Sequence, residues 1–140
     1  MKKILATILF IFLNIFTLTN AYAEWQKVDG ITGASELTHY IDPYRIEREA
    51  KPYPFLWVML DKTNPEQFQG KNFYSYVQQI EFNCSAKKSR TGMMYLYSEP
   101  MGRGNIVGSW DSSKDAFQTP PPNSPIETYM LITCTKPKNR

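Results

Sequence analysis

The chain predicts an α+β domain: an antiparallel sheet of about five or six strands with a C-terminal α-helix packed on it, pinned by one disulfide. Three observations lead there. Apolar residues between Trp25 and Trp110 recur in short runs with a period near two, the spacing of half-buried strands. Ser124-Pro125-Ile126-Glu127 then reads as a helix-capping box with proline at the first helical position. The two cysteines, Cys84 and Cys134, each fall on the apolar side of their own segment.

Taken in order, Trp25 to Val28 is a first short strand, and Asp29-Gly30 and Thr32-Gly33 are turns. Glu36 to Ile41 alternates, with Leu37, His39 and Ile41 on one side. Asp42-Pro43 marks a bend, and Tyr44 to Glu47 resumes a strand briefly. After the break at Lys51-Pro52-Tyr53-Pro54, Phe55 to Leu60 is a continuous apolar run, expected to be a central strand covered on both faces. Asp61 to Asn72 is polar and contains Asn64-Pro65 and Gly70, which predicts a loop. Phe73 to Asn83 carries Tyr74, Tyr76, Ile80 and Phe82 on the face that leads to Cys84. A basic turn from Ser85 to Ser89 precedes a strand from Arg90 to Tyr97. Pro100 to Gly104 is a turn, Asn105 to Trp110 a last strand, and Asp111 to Asn123 a loop with three consecutive prolines. In the helix, Ile126, Tyr129, Met130 and Thr133 recur at spacings of three and four, with Cys134 on the same side. Lys136-Pro137-Lys138 ends it.

Residues 1–23 read as an export signal. Lys2 and Lys3 precede an apolar run from Ile4 to Phe16 and the small-residue box Ala21-Tyr22-Ala23. The run falls short of the roughly 20 apolar residues a spanning helix needs. The signal is expected to be cleaved after Ala23, leaving residues 24–140 as a single domain with no transmembrane segment and no cysteine near the cut to accept a lipid. That places the chain in the periplasm, or secreted or at the cell surface. The full chain has 16 basic and 13 acidic residues; losing Lys2 and Lys3 leaves 14 against 13. A near-neutral domain does not advertise nucleic-acid binding. In an oxidising compartment two cysteines most simply form one disulfide, here Cys84–Cys134.

Trp25, Tyr40-Ile41-Asp42 with Ile46, the Trp57 strand, Tyr74-Ser75-Tyr76 leading to Cys84, Trp110, Asn123-Ser124-Pro125 and Cys134 occur in an order that resembles the surface-adhesin protein E family. The resemblance spans essentially the whole mature chain. It implies an antiparallel sheet with a carboxy-terminal helix, and an exported binding protein of the periplasm or surface whose adhesive relatives bind host extracellular-matrix proteins. It supplies no catalytic motif.

The residues themselves offer little chemistry. His39 is the only histidine, read as a strand histidine with a local hydrogen bond rather than a general base or metal ligand. No nucleophile or zinc motif is present, and no cofactor or metal is expected. Gly102-Arg103-Gly104 reads as a hairpin turn, since no Lys-Ser/Thr follows it. Lys87, Lys88 and Arg90 form a basic cluster that either steers acidic partners or is an ordinary solvated turn. Tyr95 and Tyr97, with Met93, share one strand face, which is either an exposed interface or core beneath a second layer or a dimer partner. The reading is a non-enzymatic, adhesin-like protein contacting a matrix protein, an anionic glycan or another partner outside the cytoplasm. The alternatives are an enzyme inhibitor docking the Pro120 to Pro122 loop, or a small periplasmic enzyme using His39 with Asp42 or Glu81.

Overall fold

The computed structural model describes residues 24–31, 36–48 and 50–135. The export signal, the Thr32-Gly33 turn and Lys136-Pro137-Lys138 lie outside them. Among the described residues six strands form one antiparallel sheet in chain order: β1 (Gln26–Lys27), β2 (Leu37–Ile41), β3 (Phe55–Phe68), β4 (Lys71–Asn83), β5 (Lys88–Glu99) and β6 (Arg103–Asp111). The α-helix α1 (Pro125–Cys134) follows the sheet. Each strand pairs with its sequence neighbour, so every connection is a hairpin or a short excursion.

Two expected boundaries change. The polar stretch Asp61 to Asn72 is not a loop but the extended end of the β3–β4 hairpin, closed at Gln69 and Gly70 with φ of 49° and 76°. Two successive positive φ values give the turn the twist a hairpin needs. Polarity misled here because these strand ends are largely exposed and need no apolar face. Pro65, which has no N–H to give, sits where the ladder shifts register between Asp61 and Glu66. The expected strand at Tyr44 to Glu47 is instead a 3₁₀ turn, Pro43–Arg45, followed by a single bridge from Glu47 to Phe55. Asp42 caps that turn by accepting from the Tyr44 N–H at 3.0 Å, and its other oxygen lies 3.3 Å from Arg45 Nε.

The helix covers one face of the sheet. Leu56, Val58 and Leu60 of β3 and Ile80 and Phe82 of β4 point toward it and are buried with Ile41, Tyr129 and Met130. The expectation that both faces of Phe55 to Leu60 are covered holds for Met59, fully buried on the opposite face, while Phe55 and Trp57 there are only half-buried. Ser124 Oγ accepts from the Glu127 N–H at 3.3 Å. Glu127 reaches back to the Asn123 N–H at 2.7 Å, one residue upstream of the cap. A helix of 10 residues is marginal alone; the Cys84–Cys134 disulfide, with Cα atoms 5.7 Å apart, fastens its last turn to the end of β4.

Candidate functional site

The face turned away from α1 is built by register. Tyr40 of β2 stands opposite Met59, Trp57 of β3 opposite Gln79, and Tyr95 and Tyr97 of β5 opposite Val77 and Ser75 of β4. Facing positions share a side of the sheet, so these residues form one surface. The indole of Trp57 and the ring of Tyr95 stack with centroids 6.5 Å apart and planes 27° apart. Trp57, Gln79, Tyr95 and Tyr97 are all half-buried. Burial, and secondarily the neighbouring Tyr95, pushes the Tyr97 phenol above its usual pKa.

Strict alternation along β5 would send Arg90 and Tyr95 to opposite sides. A β-bulge prevents this. Gln78 pairs with Met94 and Ile80 with Thr91, so β5 carries one extra residue around Gly92 and Met93. The bulge turns Arg90, opposite Glu81, and Lys88, opposite Asn83, onto the side that holds Tyr95 and Tyr97. Four of the five sequence-selected binding residues are thereby gathered on one face. Lys87, at φ 54° in the β4–β5 turn, lies at its rim.

The three cations are not equivalent. Arg90 is held from several directions. Its Nε and Nη2 each lie 2.6 Å from Glu81 Oε2, and its Nη1 donates to the Asp115 carbonyl at 3.3 Å. Its guanidinium lies 4.4 Å from the centre of the Phe117 ring and 5.8 Å from that of Tyr53. The Tyr53 and Phe117 rings meet edge-on at 4.5 Å. Arg90 is thus a clamp fixing the 112–118 segment to the sheet. Lys87 and Lys88 are exposed and join no ion pair among the described residues.

The other end of the face is closed by the β5–β6 turn. Gly102 has φ 66°, and a Cβ there would stand 3.2 Å from Val77 Cγ2, so the turn lies directly on the sheet. Ser75 Oγ donates to the Glu99 carbonyl at 2.7 Å and accepts from the Gly102 N–H at 2.9 Å, while Asp61 accepts from the Met101 N–H at 2.8 Å. Between the Arg90 clamp and this turn lies a polar-rimmed aromatic saddle centred on Trp57, Gln79 and Tyr95. Sequence reasoning selected the tyrosines but missed Trp57, Tyr53 and Phe117. Trp57 sits within a continuous apolar run, where no alternation reveals which way it faces.

His39, Asp42 and Glu81 do not assemble. His39 lies on the helix side opposite Leu60, and its Nδ1 is 2.5 Å from Tyr129 Oη. The hydrogen bond is therefore to a residue 90 positions away, not the local one expected. Burial lowers the imidazole pKa, and burial, then Tyr76, raises that of the Tyr129 phenol. Asp42 serves the 3₁₀ turn and Glu81 serves Arg90 on the opposite face. Among the described residues no group of three or more His, Cys, Asp or Glu side chains is placed to hold a metal. The proline segment is stitched down rather than projecting: Ser89 and Gln118 exchange backbone hydrogen bonds at 2.9 Å, and the Ser124 N–H reaches the Pro121 carbonyl at 3.2 Å. Pro121 and Pro122 are exposed.

Among the described residues no helix is long and apolar enough to cross a membrane. No curated protein and no solved structure matches the chain. The family model described as surface-adhesin protein E matches residues 25–135. That span takes in the whole sheet, the disulfide and the helix, and the chain belongs to the surface-adhesin protein E family.

Proposed function

We propose that the sheet face opposite α1 is a non-enzymatic adhesive surface that contacts a host extracellular-matrix protein. Family membership supports an adhesin-like surface protein with a partner outside the cytoplasm. The observation that carries the choice of face is the β5 bulge, which sets Lys88 and Arg90 beside Tyr95 and Tyr97 on the side opposite α1. Stacked, half-buried aromatics offer contact area at low entropic cost, because their rings are already held. Arg90 is consumed by Glu81 and Phe117, so the cations offered to a partner are Lys87 and Lys88.

The experiment is surface-plasmon binding of the mature domain to immobilised matrix proteins, with heparin as a competitor. Y95A/Y97A is expected to weaken binding by about tenfold or more, the scale of an aromatic hot spot. K87A/K88A should mainly slow association and flatten its salt dependence. Competition by heparin would assign the partner's contribution to an anionic glycan. Wild-type binding retained by both double variants would remove this face as the site.

A further inference from the structure

A second feature adjoins the Arg90 clamp, sharing Tyr53 with it, where the helix C-terminus meets the disulfide. A cavity of about 360 Å³ opens there, within the size range of small-ligand sites. Pro52, Tyr53, Pro54 and Phe82 give it apolar walls, and the two cysteines lie beside Arg48 and Thr133. The polar groups are incomplete. Arg48 donates from Nη2 to the Ile132 carbonyl at 3.1 Å, which fixes the guanidinium in place. Among the described residues its Nε is buried with no partner, and it joins no ion pair. Thr133 is 1% exposed, lines the cavity, and its hydroxyl also lacks a partner among the described residues. Buried polar atoms are nearly always satisfied, so two orphans from two elements at one cavity call for an occupant.

The chemistry of the orphans selects that occupant. Guanidinium has donors only, and a hydroxyl can donate. Asn83 Oδ1 accepts from Ser85 Oγ at 2.9 Å and from the Ala86 N–H at 3.1 Å, so it does not compete for these donors. A group with acceptors alone, and a negative charge to match Arg48, completes the set. A carboxylate meets both conditions and suits the planar guanidinium fork. The proline and aromatic walls ask that it carry a short apolar body. We infer that this cavity is a binding site for a carboxylate attached to a small apolar group, whether a free organic acid or the last residue of a peptide chain. Arg48 anchors the charge, and Thr133 Oγ1 supplies a second donor.

The test uses the full mature domain and two-dimensional NMR with N-acetyl-phenylalanine, its neutral amide, and an acetylated tripeptide ending in phenylalanine. Acid binding at least about tenfold tighter than the amide is expected, the scale of one charge-assisted pair, with shifts at Ser85, Thr133 and Cys134. R48M should abolish the preference for acid over amide. Arg48 also supports the helix end, so T133V provides a second variant that keeps the cation; it should weaken acid binding several-fold with the fold intact. A tighter tripeptide points to chain termini, and equal affinities to free acids. Equal binding of acid and amide, no shifts around the disulfide, or an unchanged preference in R48M would overturn the inference.

Discussion

Arg90 and Tyr95 lie on the same face of β5, although an odd step along a regular strand would send them to opposite sides. The extra residue at the Gly92–Met93 bulge makes up the difference. One local irregularity thus decides whether the domain has a basic face and a separate aromatic face, or one surface carrying both. It also places Arg90 against Glu81 and under Phe117, where it ties the 112–118 segment to the sheet.

Removing the Arg90 side chain should therefore be felt in stability and not only in surface charge. Arg90 and Glu81 side chains are 19% and 17% exposed. R90A leaves a largely buried carboxylate without its partner and Phe117 without its cation, at a cost of about 2–4 kcal/mol. R90K keeps the charge but not the fork or the stacking, and should fall between. Chemical denaturation gives the magnitude, and faster amide exchange at Asp115 to Gln118 in R90A locates it. Equal stability of all three proteins would show that the clamp contributes nothing.

The disulfide should matter mainly to the helix. Its two cysteines are 50 residues apart, and closing a loop of that length stabilises by roughly 4 kcal/mol in the chain-entropy model. The helix makes few contacts beyond those of Tyr129, Met130 and their apolar neighbours, and is short. C84A/C134A is expected to lose about that stability, with amide protection dropping first in α1 while β3 and β4 keep theirs. Uniform loss of protection across the sheet would show that helix and sheet unfold as one unit.

The antiparallel sheet, the helix and the disulfide were legible because each rests on a strong local signal. Ile80, Phe82 and Cys84 alternate cleanly, and Ser124 with Glu127 announces the helix start. The hairpin end at Asp61 to Asn72 was illegible for the opposite reason: an exposed strand pair stabilised by backbone bonds and a two-residue turn leaves no apolar period to read. The candidate face was half legible. Tyr95 and Tyr97 were correctly placed together, but a bulge has no signature in hydrophobic pattern, so the side on which Lys88 and Arg90 fall could not be seen. Nor could the partnership of His39 and Tyr129, which only the docking of the helix creates.

The burial of His39 makes stability depend on pH. His39 is 7% exposed, and burial holds its folded-state pKa below the ordinary value of 6.5. Tyr129 reaches His39 from the helix, Leu60 faces it on β3, and Lys62, next on that face, is occupied by Glu66 at 2.7 Å. Between the folded and the unfolded pKa the unfolded chain binds more protons, so folding stability rises with pH across that interval. The contribution is fully present above about pH 6.5, the unfolded value. It is lost progressively as pH falls toward the lower folded-state pKa. Urea midpoints for the wild type should therefore decline from pH 7 toward pH 5, and H39N should remove most of that slope. Y129F leaves Nδ1 without its hydrogen-bond partner and should cost about 1–2 kcal/mol at neutral pH, while keeping a titrating histidine and hence a slope. A wild-type midpoint that is flat over this range, or a slope unchanged in H39N, would show that His39 is not the group that titrates.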